Sequence, residues 1–488
     1  MKYQLGESEF DGNEKIHYNP ALVQEEECDP AREAFLHRPI GGLILKNALP
    51  AIASMLFMAL YHMADAIMVG RSLGPDALAS VNILYPIMAF FIGLAAMIGV
   101  GGNARVAVLQ GAGETEPARR TLGLVIALGV GLGLLGSLIT VLALQQILAI
   151  LGTSGNLGEL AGHYLITLYP FFTSMILIFI LEQSVRNDGR PNLATGVMAA
   201  MALLNIALDY LFLFPMQMGI AGAALATGIA QTFGAVIFIA YFVRKKIVRA
   251  PGLRFGKPGG GLPVLRIIAF NGASEFFNSI AGGLTTFLFN RALLTYIGSE
   301  GVAAFAMVHY LIMFGTVVFL GISIGSQPIL SYNHGAGKLK RVRDTLVRLI
   351  ISSALMAVVF FLVLRWQAEA MIMLFIPDHP GTIALALQAA VVVSWSLLIM
   401  PFGIISSMFF TALEKAGSSM LVSLSRGLVF TVIGLALFPL FLGELGIWIT
   451  PVFAELMTIF ITIYLLRRWI NEASAGGVQA NEPLHQAE

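Results

Sequence analysis

Along the chain, apolar runs about 20 residues long alternate with short polar breaks, and a run of that length is what a helix needs to cross the hydrocarbon core of a bilayer. Twelve such runs lie between residues 43 and 466: 43–70, 76–104, 121–143, 161–183, 193–214, 219–243, 263–290, 301–328, 346–364, 384–411, 419–442 and 445–466. Each predicts a transmembrane helix, so the expected fold is an all-α integral membrane protein.

The polar breaks alternate in charge. With the N-terminus placed inside, 26 of the 29 Lys and Arg residues fall on one side, and only Arg71, Arg291 and Arg365 fall elsewhere. Basic loops stay cytoplasmic, so both termini are expected inside. An odd number of spans would destroy this asymmetry. The expected organisation is a polar segment over 1–40, a six-helix half over 41–243, a basic linker over 244–262, a second six-helix half over 263–468 and a polar tail over 469–488. The first segment is acidic from Glu7 to Glu33, the opposite of a signal peptide's basic start, and both ends read as flexible cytoplasmic tails. The linker, RKKIVRAPGLRFGKPGGG with its flanks, owes its charge to loop orientation; binding of phosphoinositides or nucleic acid is the sharper and less economical reading.

The two halves repeat. Residues 72–113 align without a gap on 296–337, an offset of 224, with 8 of 42 positions identical. Gly74, Gly101 and the Gly111–Ala112–Gly113 turn recur as Gly298, Gly325 and Gly335–Ala336–Gly337, and Gly219 and Gly222 recur as Gly443 and Gly446. Because each half has an even number of spans, the copies share one orientation, which predicts pseudo-symmetric bundles about an axis along the membrane normal with a cavity between them.

Composition agrees: 57% hydrophobic, 12% charged, and a mean hydropathy of +0.82, which no water-exposed globular surface would tolerate. The net charge of +1 says nothing about partners. The single cysteine, Cys28, rules out an intrachain disulfide or a cysteine metal cluster.

An ionisable residue inside a span costs about 2.5–3.5 kcal/mol on insertion scales, so it marks a cavity or a partner. Asp65, Asp209 and Glu275 stand out. Both aspartates lie toward the outer ends of outward-running spans and share a depth with Tyr164, Thr227 and Gln231, while Asn205 is one turn before Asp209 on the same face. Such carboxylates, amides and hydroxyls suit a proton relay or a Na⁺ site built from Asp65, Asn205, Asp209 and Thr227; helix pinning is the bland alternative. Glu275, Gln231 and Asn278 are candidates for a substrate or second ion site, although Glu275 bonded to Asn271 or Asn278 would serve structure alone. Pro50 removes a backbone donor from the first span and is a candidate hinge. No Walker A, HExxH or GxSxG motif occurs, so no enzyme and no cofactor are expected. GLGLLG at 131–136 sits inside a span and reads as small-residue helix packing.

The first-span proline with MADAIMVGRSLG, QGAG and SYNHGAG after spans two and eight, RNDGRPNLAT before span five and LNIALD within it resemble the multidrug and toxic compound extrusion (MATE) family, in its DinF-like and MepA-like bacterial branch. The resemblance covers nearly the whole chain. It implies a MATE/MOP-type pair of bundles in the bacterial inner membrane, expelling cationic or amphiphilic small molecules in exchange for H⁺ or Na⁺, as a monomer among membrane lipids with no nucleic-acid partner. It places the ion site of the first half at Asp65, Tyr164, Asn205, Asp209 and Thr227. The NorM branch uses a glutamate in span seven, which Glu275 resembles, and an aspartate in span ten, where this chain has no acid. The alternatives are a lipid-linked precursor flippase, disfavoured because the spans are read as offering Arg291 alone for a diphosphate headgroup, and an intramembrane enzyme, which lacks a catalytic constellation.

Overall fold

The computed structural model describes residues 29–151, 155–373 and 380–479, and these are helical with short connections and no strand. In the first half, α1 (Pro30–His37) precedes α2 (Ile40–Leu73), α3 (Pro75–Ile83), α4 (Tyr85–Ala112), α5 (Thr115–Ile150), α6 (Gly155–Leu168), α7 (Phe172–Asn187), α8 (Pro191–Leu213) and α9 (Gly219–Ile247). The second half contains α10 (Gly261–Tyr296), α11 (Ser299–Gly335), α12 (Leu339–Met373), α13 (Pro380–Ala412), α14 (Ala416–Leu424), α15 (Phe430–Leu442) and α16 (Glu444–Gln479). Among the described residues, 11 of these helices, some in two pieces, are long and apolar enough to cross a membrane. Outside that set are the short helices α1 and α3 and the long α10, which has 36 residues but carries Asn271, Glu275, Asn278 and Arg291. Leu134, Leu138 and Leu142 of α5 stay 54–71% exposed, as a face turned to lipid must.

The repeat is visible in hydrogen bonds. At the end of α4, Gly113 takes φ +87°, its N–H donates to Gln110 and the Glu114 N–H donates to Leu109. At the end of α11, Gly337 takes φ +69°, its N–H donates to His334 and the Lys338 N–H donates to Asn333. Both are the left-handed glycine stop that satisfies the last carbonyls of a helix, so the GAG turns mark helix ends.

The halves meet through exchanged contacts. The first helix of each half's bundle packs on the other half: α2 on α11, α10 on α4. A Cβ on Gly101 would lie 2.3 Å from the Ile268 carbonyl oxygen, and one on Gly325 would lie 2.6 Å from that of Asn47. Nearer the basic face, a Cβ on Gly111 would lie 2.1 Å from the Tyr332 oxygen, and one on Gly335 would lie 1.9 Å from that of Val108. Residues 332 and 108 differ by the repeat offset, as do 335 and 111, so this second pair is one contact made twice. An ion pair, Arg105 Nη1 to Glu414 Oε2 at 3.0 Å, adds a cross-half link; burial pushes the Glu414 carboxyl up and Arg105 opposes it.

Three expectations change at the chain's polar segments. The segment expected to be a flexible tail becomes ordered at Asp29, which caps α1 by accepting from the Ala31 N–H and from Gln110 Nε2. Phe35 is 2% exposed and packs its ring at a tilt against Tyr332, while Lys338, Asn333 and Arg341 of the second half donate to the carbonyls of Leu36, Phe35 and Arg38. So α1 lies across both halves; residues 1–28, with Cys28, lie outside the described residues. The linker is narrower than 244–262, because α9 continues to Ile247, and it is packed rather than loose. Arg119 Nη2 donates to the Gly252 carbonyl, and buried Asp188 accepts from Lys245, Tyr241 and the Leu253 N–H. Burial pushes the Asp188 carboxyl up, against the pull of Lys245. Finally, the tail expected from residue 469 is helical as far as Gln479. In GLGLLG, Gly133 lets the Thr173 backbone approach and Gly136 meets Phe91 and Phe172, as helix packing requires.

Candidate functional site

In the first half, α2 supplies Tyr61 and Asp65, α8 supplies Asn205 and Asp209, α9 supplies Thr227 and Gln231, and α6 supplies Tyr164. Asp209 is 0% and Asn205 1% exposed, whereas Asp65 is half-buried. The two aspartates lie within range of each other's charge, and Tyr164 lies within range of Asp65, Asp209, Tyr61 and Thr227. Gln231 Nε2 donates to the Tyr61 hydroxyl at 3.3 Å. The structure thus brings Asp65, Asp209, Tyr164 and Thr227 together and ties Gln231 to Tyr61. Gln231 thus sits beside Tyr61 in this cluster, while Glu275 and Asn278 line a cavity in the second half.

Asp65 Oδ1, both carboxylate oxygens of Asp209, Asn205 Oδ1 and Gln231 Oε1 are buried with no protein partner. Each such atom costs about 1–3 kcal/mol when left unsatisfied, so five in one cluster point to a guest. Two neighbouring carboxylates with buried oxygens are stabilised by a positive charge beside them. The donor set, carboxylate, amide and hydroxyl oxygens, fits a proton or a hard cation such as Na⁺. Among the described residues, no three His, Cys, Asp or Glu side chains converge as a softer metal would require.

The second half is less bare than the sequence suggests. Glu275 and Asn278 of α10 line a cavity of ≈ 30 Å³ with Ser323, Gly403, Ser407 and Arg426. Arg426 sits in a π-helical turn, Ser425–Val429, and its Nε lies 3.5 Å from Glu455 Oε1 of α16. Glu275 lies within range of the Arg426 charge. Asn271 is not its partner, since Asn271 Nδ2 donates to the Thr411 carbonyl. Glu275 is therefore not a lone charge, and Arg291 is not the one cation within the helices. Arg426 falls inside the expected span 419–442 and Glu455 inside the expected span 445–466. One signal was available: Glu455 is the repeat mate of Gln231 at the offset of 224. A second missed pair, Arg186 and Glu182 of α7, lies 2.6 Å apart at 2% and 5% exposure.

Pro50 lies inside α2, which continues unbroken through it. Its carbonyl accepts from Thr195 Oγ1 of α8 at 2.6 Å.

Comparison with known proteins agrees with this architecture. The Multidrug export protein MepA of Staphylococcus aureus (strain MSSA476) is 27% identical over 436 residues, 89% of this chain and 95% of that protein. Its counterpart in Staphylococcus haemolyticus (strain JCSC1435) is 26% identical over 419 residues, 86% of this chain and 91% of that one. Among solved structures, MATE in complex with MaL6 superposes with a TM-score of 0.86 at 22% identity, covering 91% of this chain and 99% of that one. A MOP superfamily transporter from Pyrococcus furiosus gives 0.84 at 23%, with the same coverage. These likenesses are of fold. The MatE family profile matches twice, at residues 50–211 and 277–437, once in each half. With most of its length matched, the chain belongs to the MatE family.

Proposed function

We propose that this protein is a secondary active efflux transporter that exports cationic or amphiphilic small molecules by H⁺ or Na⁺ antiport through alternating access. The observation that carries the reading is the first-half cluster, with five buried oxygens that have no protein partner around Asp65 and Asp209. The relatives' name, multidrug export protein, supports the substrate class. In this reading the protein is a monomer in a bacterial inner membrane with both termini cytoplasmic, and α10 completes twelve spanning helices.

The ion enters between Asp65 and Asp209, with Asn205, Thr227 and Tyr164 supplying oxygen ligands or proton partners. Its charge removes the repulsion between the carboxylates, α2 shifts about Pro50, and the first-half cavity contracts, so substrate leaves outward. Coupling requires opposite preferences of ion and substrate among the states, because a ligand with equal affinity for every state shifts nothing. Proteoliposomes with separately imposed proton and sodium gradients, assayed with a fluorescent organic cation, test this. Asp65→Asn and Asp209→Asn are expected to abolish gradient-driven export while leaving membrane insertion intact, and wild-type export in both would sink the assignment.

One observation favours the flippase alternative. Arg426 on the cavity wall offers a guanidinium for a phosphate headgroup. Saturable binding of a lipid-linked diphosphate, lost in Arg426→Gln, would move the reading there; its absence keeps the export reading.

A further inference from the structure

The largest side chain fully buried in the described structure is a cation, Arg186. Its Nη2 lies 2.6 Å from Glu182 Oε1 and donates to Ser54 Oγ at 2.8 Å. Ser54 Oγ donates to Thr195 Oγ1 at 3.1 Å, and Thr195 Oγ1 donates to the Pro50 carbonyl at 2.6 Å. Each hydroxyl accepts one hydrogen bond and gives one, in a donor sense fixed by the guanidinium, which has no acceptor. The chain runs from α7 through α2 and α8 and back to α2. It closes on the carbonyl of Pro50, at the end of the turn between residues 46 and 50 where α2 is weakest, because proline withholds the N–H that the carbonyl of Lys46 would accept.

Packing does not explain this arrangement. Apolar side chains of similar volume would fill the space without the desolvation of an ion pair, and Arg186 Nε and Nη1 remain buried without a partner. A fully buried charge inside a spanning helix is by default a functional group, and here its hydrogen bonds lead to the candidate hinge. Asp65 lies 15 residues beyond Pro50, roughly 22 Å along the same helix. A small change of angle at the proline turn is therefore a large displacement at the ion site.

We infer that Arg186, anchored by Glu182 and acting through Ser54 and Thr195, is a positioning residue that holds the Pro50 turn of α2 in one geometry and transmits ion binding to the substrate cavity. The inference rests on the antiport reading above. In it, α2 bends by exchanging the Thr195 bond to the Pro50 carbonyl for another arrangement, and the ion pair supplies the fixed post against which it turns.

The test separates posture from packing. Ser54→Ala and Thr195→Val each cut the chain while leaving the ion pair, and Glu182→Met combined with Arg186→Met replaces the pair by apolar volume. For each variant, equilibrium binding of a fluorescent organic cation is measured with and without the coupling ion, alongside gradient-driven export. The expected result is ion-free affinity within about twofold of wild type, with at least a tenfold loss in the ratio by which the ion weakens binding. Arg186→Lys restores little of that ratio, because a point charge does not reproduce the guanidinium fork. An unchanged ratio in both Ser54→Ala and Thr195→Val, with Asp209→Asn abolishing it, would overturn this inference alone. An unchanged ratio in Asp209→Asn as well would overturn the antiport reading.

Discussion

At the scale of single residues, the tightest constraints are glycines at the seam between the halves. With the Tyr332 carbonyl 2.1 Å from where a Cβ would sit on Gly111, backbone would have to move, since no rotamer relieves the clash. Gly111→Val is expected to cost about 3 kcal/mol or more, at the upper end of overpacking effects. Gly131→Ala, which meets nothing within 4 Å, is expected to be neutral or to stabilise by up to ~1 kcal/mol through helix propensity. Melting of the detergent-solubilised variants checks both. Asp65 and Asp209 were legible in the sequence because a carboxylate in an otherwise apolar run is conspicuous by its cost. Arg186 and Glu182 were not, because they lie near the end of a run, where a charge passes for one at the membrane surface. Glu455 and Arg426 lie inside the last two runs, and what the sequence does not carry is their pairing, a matter of distance between α16 and the π turn.

At the scale of elements, spans were legible and short amphipathic pieces were not. A run of 20 apolar residues announces itself, whereas α1 has eight residues, a mean hydropathy near that of any loop, and only Ala31, Phe35 and Leu36 turned inward. What orders it is a surface supplied by residues some 300 positions away, including Asn333 and Arg341. Phe35→Ala is expected to cost about 3–5 kcal/mol in the docking of this helix, as removal of a buried aromatic does, and to appear as a collapse of amide hydrogen-exchange protection over residues 30–37 with the spans unaffected. Protection equal to wild type would show that Phe35 does not hold the helix in place. The central linker shows the same lesson: its glycines and basic residues read as a loose tether, but Arg119 and Asp188 bind its backbone.

At the scale of the whole molecule, the duplication was readable from the offset of 224, but the seam it creates was not, since an offset says nothing about which helices touch. The cross-half pair of Arg105 and Glu414 is half-buried at 25% and 19% exposure. Arg105→Glu is expected to cost about 1.5–3 kcal/mol, and combining it with Glu414→Arg to recover much of that in thermal stability. Failure of the exchange to recover any would show that the pair is not what joins the halves there.

The contact made twice at Gly111 with Tyr332 and Gly335 with Val108 has a further implication. A surface that touches its own repeat through reciprocal residues has the geometry of an isologous homodimer interface, here formed within one chain. Such an interface does not depend on covalent continuity between the halves. Expressed as two polypeptides divided within residues 248–260, the halves are expected to find each other in the membrane and copurify.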